Sequence, residues 1–252
     1  MMSPFEVKRI QELAEPLGRT ESVDATPCSA CSVRQLTICA DLASDELHEL
    51  SSIVTSVELG PGDPLFDEEE KADHVFNVTA GTMKVYKLLP DGRRQVTGFL
   101  FPGDFLGLAN DETYAYSAEA VSPATLCRFP RRKLEAMLER FPKMERRLLG
   151  LASHELAAAQ EQMLLLGRKT AREKIASFLL LLSTRARRRG QKGNPVSVLM
   201  SRTDIGDYLG LTTETVSRTF TQLKSNGTIM LLSGGKVEIA DLEALHELAE
   251  GT

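Results

Sequence analysis

The sequence predicts an α+β chain in three successive parts: an N-terminal jelly-roll β-barrel, one long helix, and a C-terminal winged helix-turn-helix. Three observations predict it. Short alternating runs (SIVTSVEL, HVFNVTA, TMKVYKLL, RQVTGFLF) are separated by Gly-rich turns between residues 51 and 128, a pattern of many short strands that suits a closed barrel. Leu149, Ala152, Leu156, Ala159, Met163 and Leu166 then recur in alternating steps of three and four, the spacing of a heptad seam. Lastly, SRTDIGDYLGLTTETVSRTFTQLKSNG, residues 201–227, reads as two helices joined by a Gly-containing turn. The resulting boundaries are 1–50 for an N-terminal segment with a cysteine array, 51–140 for the barrel, 141–167 for the long helix and 168–252 for the last domain.

A chain of 252 residues is long enough for two domains with cores of their own. No run of about 18 apolar residues is present, and the start, MMSPFEVKRIQELAE, is too polar for a signal peptide. The expectation is a soluble, cytoplasmic protein with no membrane partner. The net charge of -5 is unevenly divided: residues 1–130 carry 10 Lys and Arg against 21 Asp and Glu, residues 131–252 carry 20 against 14. The basic half is the one that holds the helix-turn-helix.

Residues 5–17 are expected to form a short amphipathic helix through Val7, Ile10, Leu13 and Leu17. Cys28, Cys31 and Cys39 follow as a Cys-x2-Cys-x7-Cys array, and Cys127 is the remaining cysteine. Three of four thiols within twelve residues of a cytosolic chain point to metal binding rather than disulfides. Thiolates suit zinc in a four-cysteine site or an iron-sulfur cluster, and spacing leaves both open. Cys127, in ATLCRF, is also the kind of small residue a strand buries. Jelly-roll barrels often house enzymes. Here His48, His74, His154 and His246 are scattered without the paired spacing of a catalytic metal site, so no enzyme is expected.

Beyond Arg131, Leu134, Met137 and Leu138 mark a short helix, and Pro142 opens the long one. The seam on that helix fits a parallel dimer, with packing on its own domain as the alternative reading. Ala152 and Ala159 bury little apolar surface, so the interface is modest. Gly167 is expected to be a hinge before a helix over Thr170–Arg185, whose Leu179–Leu182 should enter the last domain's core.

In the helix-turn-helix, a first helix from about Asp204 to Leu209 is followed by a turn at Gly210 and Leu211, and Thr212 caps a second helix to about Ser225. Val216, Phe220 and Leu223 share one face, which should be buried. Glu214, Ser217, Arg218 and Thr221 share the opposite face. Arg donates two bonds to guanine, Glu accepts from cytosine and Ser does either, so this face suits the major groove of double-stranded DNA. Glu214 and Arg218 are also spaced for an ordinary helix ion pair. Thr228–Leu232 and Lys236–Ile239 read as the wing, joined through Ser233, Gly234 and Gly235, and Asp241 caps a closing helix. Arg185, Arg187, Arg188, Arg189 and Lys192 form a basic cluster that either meets phosphates or is a solvated helix end.

The order of cysteine array, barrel, long helix and winged helix-turn-helix resembles the CRP/FNR family of bacterial transcription regulators over almost the whole chain. Thr213-Glu214-Thr215-Val216-Ser217-Arg218 looks like the recognition helix of the FNR group. The resemblance implies that Glu214, Ser217 and Arg218 read a TTGAT half-site of an inverted repeat. It also implies a [4Fe-4S] cluster on Cys28, Cys31, Cys39 and Cys127, and oxygen sensing through a homodimer. The Cys-x2-Cys-x7-Cys spacing is similar to FnrL-type proteins of alphaproteobacteria. A loop on the barrel is implied to touch RNA polymerase, here the turn from Pro90 to Arg94. Enteric relatives carry an acid that opposes dimerisation where this chain has Ala157-Ala158-Ala159. The cyclic-nucleotide branch needs a Glu after PGDF and an Arg-Ser or Arg-Thr pair further on. This chain has Leu108 and Ala109, then Tyr116-Ser117, so no cyclic nucleotide is expected.

Overall fold

The computed structural model describes residues 28–108 and 112–251, so the helix expected over residues 5–17 lies outside the described residues. A 3-10 turn, Arg34–Leu36, precedes helix α1 (Ser44–Ile53). Strands β1 (Thr55–Leu59), β2 (Pro64–Phe66), β3 (His74–Ala80), β4 (Met83–Leu88), β5 (Arg94–Leu100), β6 (Phe105–Leu106), β7 (Ser117–Ala120) and β8 (Ala124–Pro130) follow. They form two four-stranded sheets, ordered β1-β8-β3-β6 and β2-β7-β4-β5, in which every pairing is antiparallel. This is the expected jelly roll. Ser52 and Ile53, placed in a strand by the alternating run, belong instead to α1. Leu47 and Leu50 are buried there at helical spacing, and the Glu46 carboxylate accepts the Ala43 N–H at 2.7 Å.

The first sheet is covered on both faces. Phe76, Val78 and Leu126 enter the barrel core, whereas the alternate residues Val75 and Phe129 pack outward against Ile38, Leu42, Leu47 and Leu50 of the N-terminal segment. Helix α2 (Arg131–Arg140) and the first turn of α3 (Pro142–Arg168) complete this second core through Leu134, Met137 and Met144. Helix α3 has 27 residues, roughly 40 Å at the usual rise. It passes through Gly167, so the expected hinge lies two residues later. Lys169 is extended and Thr170 caps α4 (Ala171–Arg188), while Lys169 Nζ donates to Ser177 Oγ at 2.8 Å and to the Ala249 carbonyl at 2.7 Å.

The last domain contains β9 (Val196–Ser197), α5 (Arg202–Leu209), α6 (Thr213–Ser225), β10 (Ile229–Leu231), β11 (Lys236–Ile239) and α7 (Leu242–Glu250). Its core joins Leu179 and Leu182 of α4 to Ile205, Leu209, Val216, Phe220 and Leu223. The domain docks on β5: the Phe99 ring lies 5.1 Å from Tyr208 and 6.1 Å from Phe178, centroid to centroid. This docking also relocates part of the basic cluster. Arg185 bonds Asp104 at 3.1 Å and the Phe99 carbonyl at 2.9 Å, and Arg189 stacks over Phe101 at 4.5 Å. Those two arginines join domains and do not face outward, whereas Arg187, Arg188 and Lys192 are exposed.

Phe220 is 1% exposed and carries the Arg202 guanidinium 3.5 Å above its ring. Phe220→Ala should therefore cost the C-terminal domain about 3–5 kcal/mol, read from urea unfolding.

Candidate functional site

The four cysteines come from two distant segments. Cys28 and Cys31 lie in consecutive turns, with the Cys28 carbonyl accepting the Cys31 N–H and the Cys31 carbonyl accepting the Arg34 N–H. The 3-10 turn then reverses the chain and brings Cys39 back. Cys127 sits on β8, opposite Ser56 of β1 and Asn77 of β3, and alternates outward with Phe129. All four line one cavity of about 430 Å³, together with Thr37, Ser51 and Asn77. Among the described residues, no three His, Cys, Asp or Glu side chains converge closely enough to hold one metal ion.

Burial raises the thiol pKa values of Cys28 and Cys39. Burial, and then repulsion from the other three sulfurs, pushes Cys127 up to about 12. Thr37 Oγ1 lies 2.8 Å from Cys39 Sγ. Asn77 is 2% exposed, lines the cavity, and its Oδ1 has no partner among the described residues. A buried amide oxygen without a partner marks a place where a polar group is missing. Sequence reasoning passed over Asn77, although one polar residue in the middle of the apolar run HVFNVTA was the available signal.

The cysteine segment is also tied to α3. Arg147 Nη2 donates to the Gln35 carbonyl at 2.9 Å and Nε to the Thr37 carbonyl at 3.4 Å. From that end α3 presents an apolar stripe to solvent: Leu149, Leu156 and Met163 are 61–69% exposed, and Ala152 and Ala159 are exposed between them. Leu166 departs from the seam. It is half-buried against the C-terminal core, with Cδ2 against Gly210, because α3 ends on that domain.

The helix-turn-helix is built by local rules. Ser201 caps α5, accepting the Asp204 N–H at 3.0 Å, so the helix starts two residues before the expected position. A Cβ on Gly206 would lie 2.6 Å from the Leu211 carbonyl oxygen, so only glycine lets α5 approach the turn. Gly210 closes α5 in the left-handed conformation, φ 63°. Thr212 then caps α6, accepting the Thr215 N–H at 3.1 Å. With Val216, Phe220 and Leu223 buried, Thr213, Glu214, Ser217, Arg218 and Thr221 are all exposed on α6. The Thr221 hydroxyl donates to the Ser217 carbonyl at 3.0 Å, leaving its oxygen as an acceptor. Glu214 and Arg218 form no ion pair among the described residues, so both are available to a ligand.

At the barrel positions where a cyclic phosphate would need a cation, Tyr116 accepts the Gly107 N–H at 3.1 Å and Ser117 Oγ accepts the Glu68 N–H at 2.9 Å. Leu108 is exposed, and Ala109 lies outside the described residues. The turn after β4 folds on itself, with Asp91 accepting from Arg93. Arg94 faces the last domain, at 3.0 Å from Asp207, and not solvent as a polymerase contact would require. Among the described residues, no helix is long and apolar enough to cross a membrane.

Residues 56–141 match the family model of the cyclic nucleotide-binding domain, and residues 173–248 that of the Crp-like helix-turn-helix domain. The chain is 43% identical to the transcriptional activatory protein AadR of Rhodopseudomonas palustris, over 87% of this chain and 91% of that one. It is 43% identical to the nitrogen fixation regulation protein FixK of Bradyrhizobium diazoefficiens, over 88% and 93%. The solved structure of FixK2 from Bradyrhizobium japonicum superposes with a TM-score of 0.72 at 36% identity, over 78% of this chain and 97% of that one. With barrel, long helix and helix-turn-helix all matched in order, the chain belongs to the CRP/FNR family of DNA-binding transcription regulators, which are not enzymes.

Proposed function

We propose that this protein is an oxygen-responsive transcription activator. It binds an inverted repeat of TTGAT half-sites as a homodimer while a [4Fe-4S] cluster is held by Cys28, Cys31, Cys39 and Cys127. The observation that carries this reading is the single cavity lined by all four cysteines. Its donor set fits the group: four thiols are the ligand set of such a cluster.

When bound, the cluster supplies an oxygen-labile link between the N-terminal segment and β8. The chain's own residues do the rest. Ile38 and Leu42 pack with Met144 at the start of α3, and Arg147 fixes the Gln35 and Thr37 carbonyls to the same helix. A change in the segment therefore alters the base of the helix that carries the Leu149–Met163 stripe. Pairing of two such stripes sets two α6 helices about one DNA turn apart, roughly 34 Å. This is coupling between two sites through one two-state element, the dimer.

Double-stranded DNA is read by Glu214, Ser217 and Arg218, flanked by Thr213 and Thr221. Activation uses the hairpin tip, where Leu88 and Leu89 are exposed beside Pro90–Arg93, as the surface for RNA polymerase. No cyclic nucleotide is bound, since Tyr116 stands where a cation is needed. Zinc or free-thiol redox sensing is the competing chemistry for the same cysteines. Protein purified without oxygen separates these readings. Iron and acid-labile sulfide near four each per chain, with a Mössbauer signal that changes in air, support the cluster, whereas colourless protein with zinc or nothing on the cysteines after anaerobic reconstitution excludes it.

Arg218→Ala should lose about 1–3 kcal/mol of discrimination at one base pair. Equal weakening on specific and random duplexes, measured by fluorescence anisotropy, contradicts base reading. Cys39→Ala should abolish oxygen-regulated binding while the far-UV spectrum stays unchanged, and a variant with full iron content removes Cys39 from the ligand set. Leu156→Glu, placing a charge in the stripe, should weaken the homodimer at least tenfold in sedimentation equilibrium.

A further inference from the structure

Charged side chains of both domains meet between the barrel and the helix-turn-helix. Lys84 of β4 is only 5% exposed, and its Nζ lies 2.7 Å from Glu119 of β7 and 2.9 Å from Asp204 of α5. Arg94 of β5 reaches the same Asp204 oxygen at 2.9 Å and Asp207 at 3.0 Å. Gln95 adds a bond to the Asp207 carbonyl at 2.6 Å. Asp204 serves both domains at once, because its other oxygen accepts from the Ser201 hydroxyl and N–H and so caps α5.

A buried ion-pair cluster adds little net stability, yet any arrangement that separates its members strands a charge. Its effect is to select one relative position. The position it selects does not hide the DNA-facing surface: the outward residues of α6 are exposed while the cluster is closed. The covalent connection between the long helix and α4 is only Lys169 and Thr170, both non-helical. A domain hung from such a joint pivots unless it is held elsewhere; α4 is held through Arg185 and Arg189, and α5, which leads directly into the turn before α6, is held through this charged cluster.

We propose that Lys84, Arg94, Asp204 and Asp207 determine half-site spacing: they fix the angle of each α6 to the dimer axis, so that inverted repeats one base pair too long or too short are rejected. This rests on the homodimer reading above. One base pair moves a half-site by about 3.4 Å along the axis and turns it by about 34°, a mismatch that a fixed domain cannot follow and a pivoting one can.

The test uses the full chain, prepared and handled without oxygen, on duplexes with two TTGAT half-sites at one-turn spacing, the same with one central base pair added or removed, and one half-site alone. Arg94→Gln and Asp207→Asn are the variants, since both positions are partly exposed and leave the buried Lys84–Asp204 pair intact; circular dichroism and melting temperature check folding. The expected result is a roughly three- to tenfold weaker affinity for the one-turn repeat with unchanged affinity for the single half-site, so that the preference for correct spacing shrinks. The double variant should behave like Arg94→Gln alone, because Asp207 acts through Arg94, whereas Arg94 also bonds Asp204. Folded variants with wild-type spacing preference overturn the proposal, as does tighter binding to every duplex, which would make the contact inhibitory. Wild-type protein indifferent to spacing also overturns it; if that protein in addition fails to prefer the repeat to a single half-site, the fault lies with the homodimer reading.

Discussion

The contact on which the rest of this structure depends is the burial of Ile38, Leu42 and Leu50 against Met144 on the outer face of the first sheet. Without it the cysteine segment would have no fixed place, and Cys127 would face solvent from β8. With it, a strand residue and a turn share a cavity beside the start of the long helix. The same burial explains why β3 is apolar on both sides, Val75 outward and Phe76 and Val78 inward. Arg147 adds direction to this packing. Its two donated bonds end on carbonyls of the cysteine segment, so that segment and the first two turns of α3 move together or not at all.

Charge is used differently in the two halves of the chain. The acidic barrel supplies Asp104 to Arg185 of the basic half, while Lys84 and Arg94 of the barrel meet Asp204 and Asp207 of that half. Part of the opposite charge of the two halves is therefore consumed at their junction rather than directed at DNA. Asp204 illustrates the balance. Burial pushes its carboxyl up, but the Ser201 hydroxyl and then Lys84 and Arg94 outweigh that and hold it below the ordinary carboxylate range. Its pairing thus contributes stability above the unfolded-state pKa, and that contribution fades as pH falls through the lowered folded value. What remains exposed for phosphates is a smaller set, Arg187, Arg188 and Lys192.

Local rules were legible in the sequence, and tertiary partners were not. Thr212, Thr170 and Asp241 announce helix starts because a cap needs only the next three residues. The stripe of Val216, Phe220 and Leu223 was equally plain, since periodicity alone decides which face is buried. Arg185 and Arg94 were misread for one reason: a cation in a basic or turn-like stretch has no local sign of an acid roughly 80 to 110 residues away. Gly167 misled in the opposite sense, because a solvent-facing helical glycine with nothing within 4 Å lowers propensity without forcing a break. The cysteine array was visible in the sequence, but the cavity that joins it to Cys127 required the sheet register.

The seam on α3 is weak by composition, and in the proposed homodimer that weakness is what would make it controllable. A fully buried Leu contributes about 1.5–3 kcal/mol, and Ala much less. Each helix offers Leu149, Leu156 and Met163, with Leu164 beside them, while Ala152 and Ala159 fill the remaining positions. Association costs an estimated 4–15 kcal/mol before any surplus appears, so a pair of such stripes sits near balance. Near balance, a shift of about 1.4 kcal/mol at the base of the helix changes the dimerisation constant tenfold. Ala157, Ala158 and Ala159 place no carboxylate on this stretch of the helix, so in the proposed homodimer the response has to come from the shallow apolar seam rather than from charge repulsion. On the proposed function, control would act through the geometry that Met144 and Arg147 impose on the first turns of α3, because those are residues by which α3 contacts the cysteine segment.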